Sequence, residues 1–162
     1  MITLVLGGAR SGKSEVAERM AAAAGGAVTY VATGTATDAE MAARIDEHRR
    51  RRPAGWTTVE SGRDLAGLLS TAEGTVLVDA LGTWLAQAEG MAVDADGLCA
   101  ALAGRSGDTV VVSDEVGMGV HPSTEAGRRF RDALGALNRR VADMADEVVL
   151  VVAGRVLPLE RA

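Results

Sequence analysis

The sequence predicts an α/β fold, a mostly parallel central sheet flanked by helices, in a single domain over residues 1–162. Three observations predict it. Continuous runs of Val, Leu and Ile alternate with Ala- and Glu-rich stretches of helical period, which is the pattern of strands buried on both faces. A glycine-rich octet stands between the first apolar run and the first helical stretch. Hydrophobic residues make up 48% of the chain and charged residues 24% at a net charge of -5, a composition that excludes global disorder.

In order, Met1 to Leu6 reads as a buried strand running into Gly7-Gly8, and Ser14 to Ala24 as a helix stopped by Gly25-Gly26. Ala27 to Ala32 is a second strand. Thr37 to Arg52 is a helix with a capping-box start, Thr37 and Glu40, and a stop at Pro53. Trp56 to Glu60 is a short strand and Arg63 to Ser70 a short helix. Thr75 to Asp79 is a buried strand, followed by helices near Gly82 to Ala88 and Asp94 to Ala103. Asp108 to Ser113 is a strand, Glu115 to Pro122 a glycine-rich loop, and Thr124 to Met144 a long helix. Glu147 to Ala153 is the last long strand, with a short hairpin return over Gly154 to Leu159.

Composition narrows the function classes. An acidic chain without a basic stripe is not expected to bind nucleic acid. No apolar run approaches the roughly 20 residues that span a bilayer, and Ile2 to Leu6 is too short for a signal peptide. One cysteine, Cys99, rules out an intramolecular disulfide, and a cytoplasmic location is expected. Aromatic residues are only 2%, so the core is expected to be aliphatic. Lys13 is the only lysine in the chain, against a background of arginine.

That lysine lies in Gly7-Gly8-Ala9-Arg10-Ser11-Gly12-Lys13-Ser14, which satisfies G-x-x-x-x-G-K-[ST] between a strand and a helix. Glycines let the backbone form a concave nest of N–H groups, and the helix N-terminus adds a dipole favouring the same anion. Lys13 would meet the β- and γ-phosphates of a nucleoside triphosphate, and the Ser14 hydroxyl would meet Mg2+. Asp79, ending Val76-Leu77-Val78, is a candidate metal ligand, and a helix-capping aspartate is the ordinary alternative. Glu60 and Glu115 also follow strands. Parallel sheets hold ligands beyond the carboxyl ends of their strands, so Glu60, Asp79 and Glu115 are candidates for one crevice. Glu115 is a candidate magnesium ligand or base.

On the helix expected at residues 37–52, Met41, Ile45 and His48 share a face. From spacing alone His48 is a partly buried core histidine. Arg49, Arg50, Arg51 and Arg52 are either a solvated face or a phosphate clamp. His121 precedes Pro122 in a loop and has no assigned role.

The chain resembles the bifunctional adenosylcobinamide kinase / adenosylcobinamide-phosphate guanylyltransferase family. The residues carrying the resemblance are the octet, Tyr30 to Thr33, Asp38 to Ile45 with His48, Trp56, Thr58 and Glu60. They continue through Val78-Asp79 with Thr83-Trp84, Ser113 to Gly119, and Arg128 to Asp132 with Gly135 and Asn138. The resemblance implies a P-loop NTPase of RecA-like fold, using ATP or GTP with Mg2+. It implies phosphorylation of adenosylcobinamide, then guanylylation of His48 by GTP and passage of GMP to the new phosphate. Lys13 and His48 would carry the chemistry. Gly7 to Ser14, Val31, Ala32, Thr33, Arg49 to Arg52, Glu60 and Asp79 would bind nucleotide, and a homotrimer would be the assembly. Three residues depart from the family pattern: Asp114 and Gln87 where asparagine is usual, and His121 where an apolar residue is usual. Two other readings share the octet: a different P-loop small-molecule kinase, and a nucleotide-dependent switch or assembly protein.

Overall fold

A computed structural model describes residues 1–34, 50 and 53–161 of the chain. The helix expected at residues 37–52, with His48, Arg49, Arg51 and Arg52, lies outside the described residues apart from Arg50, which is exposed.

The described elements are β1 (Ile2–Gly7), α1 (Lys13–Ala24), β2 (Val28–Ala32), β3 (Thr57–Glu60), α2 (Leu65–Thr71), β4 (Thr75–Asp79) and α3 (Leu81–Gln87). After a short 3-10 turn at Glu89–Met91 come α4 (Ala95–Ala103), β5 (Thr109–Asp114), α5 (Glu125–Met144), β6 (Glu147–Val152) and β7 (Arg155–Pro158). They build a seven-stranded sheet in the order β3-β2-β4-β5-β1-β6-β7. Every pairing is parallel except β6 with β7, which are antiparallel and form the expected hairpin return.

Alternation of side chains across the sheet divides the core in two. On one face Val5, Tyr30, Leu77, Val110, Val112, Val149 and Val151 pack under Val16, Ala17 and Ala21 of α1. On the other, Leu4, Val31, Val76, Val78 and Val111 pack under α2 to α5, through Leu65, Leu69, Leu81, Trp84, Leu98, Leu102, Leu134, Leu137 and Val141. As the low aromatic content predicts, this core is aliphatic except for Trp84 and Tyr30.

The expectation that the strands are buried on both faces holds in the centre and fails at the edges. β3 and β7 are mostly exposed, and β6 is buried only at Val149 and Val151. The physical reason is coverage: on its face α1 packs over β1, β4 and β5 and touches β6 lightly. Helix starts follow their caps. Asp64, Asp94 and Thr124 each accept a hydrogen bond from the backbone N–H three residues on.

Arg105 ties the layers at the amino end of the sheet. Its guanidinium donates to the carbonyls of Leu69, Ala72 and Gly74 at 3.0, 2.6 and 2.7 Å, and to Thr109 Oγ1 at 2.8 Å. Burial pushes its pKa down from the usual arginine value. Replacing Arg105 with Ala strands three carbonyls. The expected loss is about 2 kcal/mol, read as a fall of about 4–8 °C in the thermal midpoint.

Candidate active site

The phosphate loop is held from two sides. The Gly7 carbonyl accepts from Glu115 N at 3.0 Å, and the Ser11 carbonyl accepts from Gly154 N, in the β6–β7 turn, at 2.7 Å. A Cβ on Gly7 would lie 2.4 Å from Ser11 Oγ and 2.9 Å from the Val151 carbonyl, so the loop closes only over glycine. Arg10 and Gly12 adopt positive φ values of 57° and 89°. Left-handed residues between right-handed ones turn successive N–H groups to one side, which is how a backbone nest forms. Gly8, Ala9 and Arg10 are exposed at its mouth.

Lys13 and Ser14 open α1 and meet one carboxylate each. Lys13 Nζ lies 2.8 Å from Asp114 Oδ1 and donates to the Gly8 carbonyl at 3.3 Å. Its side chain is only 12% exposed, so this charge is largely out of water and has a partner. Ser14 Oγ donates to Asp79 Oδ1 at 3.3 Å, and the Tyr30 hydroxyl donates to Asp79 Oδ2 at 2.6 Å.

The turn after Asp79 is braced by side chains. Thr33 Oγ1 donates to the Ala80 carbonyl and accepts from Ala80 N at 2.8 Å. Thr83 Oγ1 bonds the same carbonyl at 2.9 Å, and Gln87 Nε2 donates to the Thr33 carbonyl. Thr33 is therefore buried, and its hydroxyl is used within the fold. Val31 is fully buried in the core, so its side chain is committed to packing, while Ala32 is half-buried beside Asp79 in the β2–β4 register.

The three acids expected in one crevice lie at the ends of three different strands, β3, β4 and β5. Asp79 sits at the loop. Glu60 ends β3 at the sheet edge, four strand positions from β1, about 19 Å at the usual inter-strand spacing. The Glu115 carboxylate turns back on its own loop, accepting from Gly117 N at 2.7 Å and Met118 N at 3.1 Å. The structure thus pairs Ser14 with Asp79 and leaves Glu115 out of that pair. Among the described residues no three His, Cys, Asp or Glu side chains gather into a metal cluster.

Sequence reasoning missed Tyr30 as the partner of Asp79 and Asp114 as the partner of Lys13. Each carried a faint signal: Tyr30 is the only tyrosine, and Asp114 adds an acid next to a loop built for anions.

On the opposite face of the sheet from α1, an open cavity of about 490 Å3 lies between the ends of β1 and β5 and α5. Leu6, Glu115, Arg131, Asp132, Gly135 and Asn138 contribute to its wall. Asn138 anchors α5 to β5, accepting from Ser113 Oγ at 2.6 Å and donating to the Asp114 carbonyl at 2.9 Å. Arg131 pairs with Asp132 at 2.8 Å and donates to His121 Nδ1 at 2.8 Å.

The family model described as cobinamide kinase / cobinamide phosphate guanyltransferase matches residues 3–159. The chain belongs to this family. Within the cobinamide kinase / guanyltransferase family, a bifunctional adenosylcobalamin biosynthesis protein of Pseudomonas aeruginosa is 43% identical, over 99% of this chain and 98% of that protein. Its namesakes in Salmonella typhimurium and Escherichia coli are 41% and 38% identical, each over 95% of this chain and 97% of theirs. Among solved structures, the P4 protein of bacteriophage phi6 in complex with ADP superposes with a TM-score of only 0.45 at 17% identity.

The three departures from the family pattern acquire surroundings. Gln87 reaches the Thr33 carbonyl, His121 holds Arg131, and Asp114 holds Lys13. A triphosphate bound through Lys13 would have to displace Asp114 and would then sit near its charge. Asp114→Asn should therefore tighten triphosphate binding about five-fold, the equivalent of about 1 kcal/mol, as measured by equilibrium titration.

Proposed function

We propose that this chain is both a cobinamide kinase and a cobinamide phosphate guanylyltransferase, acting at the phosphate loop described above. The family match over residues 3–159, on a chain whose Lys13, Ser14 and Asp79 meet at that loop, is the observation that carries the reading.

In the first step the aminopropanol hydroxyl of adenosylcobinamide attacks the γ-phosphorus of ATP or GTP. The bond to the β-bridging oxygen breaks, a nucleoside diphosphate leaves, and the hydroxyl proton is lost to base or water. Gly7 to Ser14 bind the phosphates through backbone N–H groups and Lys13. In the second step an imidazole nitrogen of His48 attacks the α-phosphorus of GTP and pyrophosphate leaves. An oxygen of the cobinamide phosphate then attacks the same phosphorus, the N–P bond breaks, and adenosylcobinamide-GDP is released with the imidazole restored. A covalent intermediate divides one transfer between two anions into two steps, each with a better-placed nucleophile. Arg49 to Arg52 and Glu60 belong to the nucleotide site in this reading.

The residues fit a magnesium ion. Two adjacent oxygens on an octahedral ion with bonds of 2.0–2.1 Å stand about 3.0 Å apart, and Ser14 Oγ and Asp79 Oδ1 are 3.3 Å apart. When bound there, Mg2+ would neutralise charge on the β- and γ-oxygens. Tyr30 keeps Asp79 Oδ2 occupied, so Oδ1 stays turned toward Ser14.

A single domain working as a homotrimer completes the reading. Exposed Val156, Leu157 and Leu159 on the edge hairpin are apolar surface that such an assembly would cover.

Incubation with Mg2+ and GTP labelled at the α-phosphate tests the covalent step. Acid-labile, base-stable label on the denatured protein is expected, and it should vanish in His48→Ala. Absence of label on wild-type protein that still binds GTP would remove the guanylyl intermediate and leave a kinase. Lys13→Ala should weaken triphosphate binding about 30-fold or more, from loss of about 2 kcal/mol of charge-assisted contact. Binding at the wild-type affinity would disconnect the loop from the nucleotide.

A further inference from the structure

We propose that the cavity between β1, β5 and α5 receives the hydroxyl-bearing arm and part of the amide rim of the corrinoid acceptor, on the face of the sheet opposite α1. This rests on the reading of the chain as a cobinamide kinase.

Topology is the first support. β1 leads into α1 on one face, and β5, its neighbour, leads into α5 on the other. The crevice between strands whose connections leave in opposite directions is where open α/β sheets bind ligands. The phosphate loop fills the α1 side of that crevice and the cavity fills the α5 side. Leu6 in the cavity wall immediately precedes Gly7, and Glu115 donates its N–H to the Gly7 carbonyl. A group seated in the cavity therefore stands next to the loop that holds the phosphate to be transferred.

Chemistry selects the occupant. Among the described residues Glu115 and Asp132 outnumber Arg131 in the wall; Glu115 accepts from Gly117 N and Met118 N, and Arg131 serves Asp132 and His121. Such a wall disfavours a triphosphate and suits an uncharged ligand rich in hydroxyl and amide groups, for which the remaining carboxylate lone pairs accept and guanidinium N–H groups donate. The volume of about 490 Å3 is in the range of small-molecule sites and smaller than a corrinoid. The macrocycle stays outside, where the loop after β5 carries Met118 and Val120, 71% and 96% exposed.

Gly135 is the independent observation. It lies inside α5, where glycine is the poorest helix former after proline. Among the described residues, nothing beyond its own stretch of helix lies within 4 Å of where its Cβ would be, so packing against them does not require it. Arg131, Gly135 and Asn138 are spaced i, i+4 and i+7 and share the face that lines the cavity. A side chain at 135 would project into the space, and the glycine keeps it open.

The test compares wild-type protein with Gly135→Leu, Gly135→Ala and Arg131→Gln. KM for cobinamide is measured at saturating ATP, and ATP affinity is measured by equilibrium binding. Gly135→Ala should melt at or above the wild-type temperature. Gly135→Leu should raise KM for cobinamide about ten-fold or more with ATP affinity within about two-fold, the loss expected when a filled subsite excludes part of a ligand. Arg131→Gln should move KM in the same direction, and it carries the test if Gly135→Leu fails to fold. An unchanged KM for cobinamide in both variants would overturn the proposal. Loss of ATP affinity in step with KM would overturn it too, by giving the cavity to the nucleotide. Wild-type protein that binds ATP but leaves cobinamide unphosphorylated would overturn the kinase reading itself, a distinguishable failure that removes the occupant.

Discussion

A single ammonium group has to be held at the end of β1, largely out of water, before any phosphate arrives. Lys13 meets this with one short contact to Asp114 and one to the Gly8 carbonyl. The contact exists only because β5 lies beside β1 and ends in an acid. Placing β5 there moves β4 two strand positions from β1, about 10 Å. Asp79 is nevertheless met by Ser14, which reaches it from the first turn of α1 across the top of β5. Strand order, helix start and charge placement are thus consequences of one requirement: a cation, a hydroxyl and two carboxylates arranged around the glycine-rich loop.

The same strand order divides the labour of the reaction between the faces. The α1 face carries the loop, its lysine and the Ser14–Asp79 pair. The α5 face carries the cavity, whose acids disfavour a triphosphate and whose glycine leaves room. The two sites share the wall made by the ends of β1 and β5, through Leu6, Gly7 and Glu115. A donor and an acceptor that approach from opposite faces meet at that wall without competing for one pocket, which is what bringing two substrates into register demands.

Much of the fold was legible because it is written in periodicity. Val76 to Val78 and Val110 to Val112 are uninterrupted apolar runs, and the structure buries them in the central strands. The octet from Gly7 to Ser14 was legible because its chemistry is local: the same few residues make the turn, the nest and the helix start. What stayed hidden is what depends on strand order. Nothing local says that Asp114 rather than Glu115 meets the loop. Alternation across the sheet decides it, sending Ser113 toward Asn138 and Asp114 toward Lys13. Tyr30 on Asp79 is equally non-local, set by the register of β2 on β4. Glu60 looked equivalent to Asp79 because both end strands, and only the edge position of β3 separates them.

The central claim is that triphosphate chemistry at this loop is directed to a corrinoid. Its most direct test is product analysis with wild-type protein, adenosylcobinamide and Mg2+, first with ATP and then with added GTP. The account predicts a corrinoid that gains one phosphate in the first stage. In the second stage it gains GMP, with one pyrophosphate released per corrinoid converted. Triphosphate cleaved to diphosphate and inorganic phosphate, with the corrinoid unchanged through both stages, would contradict it.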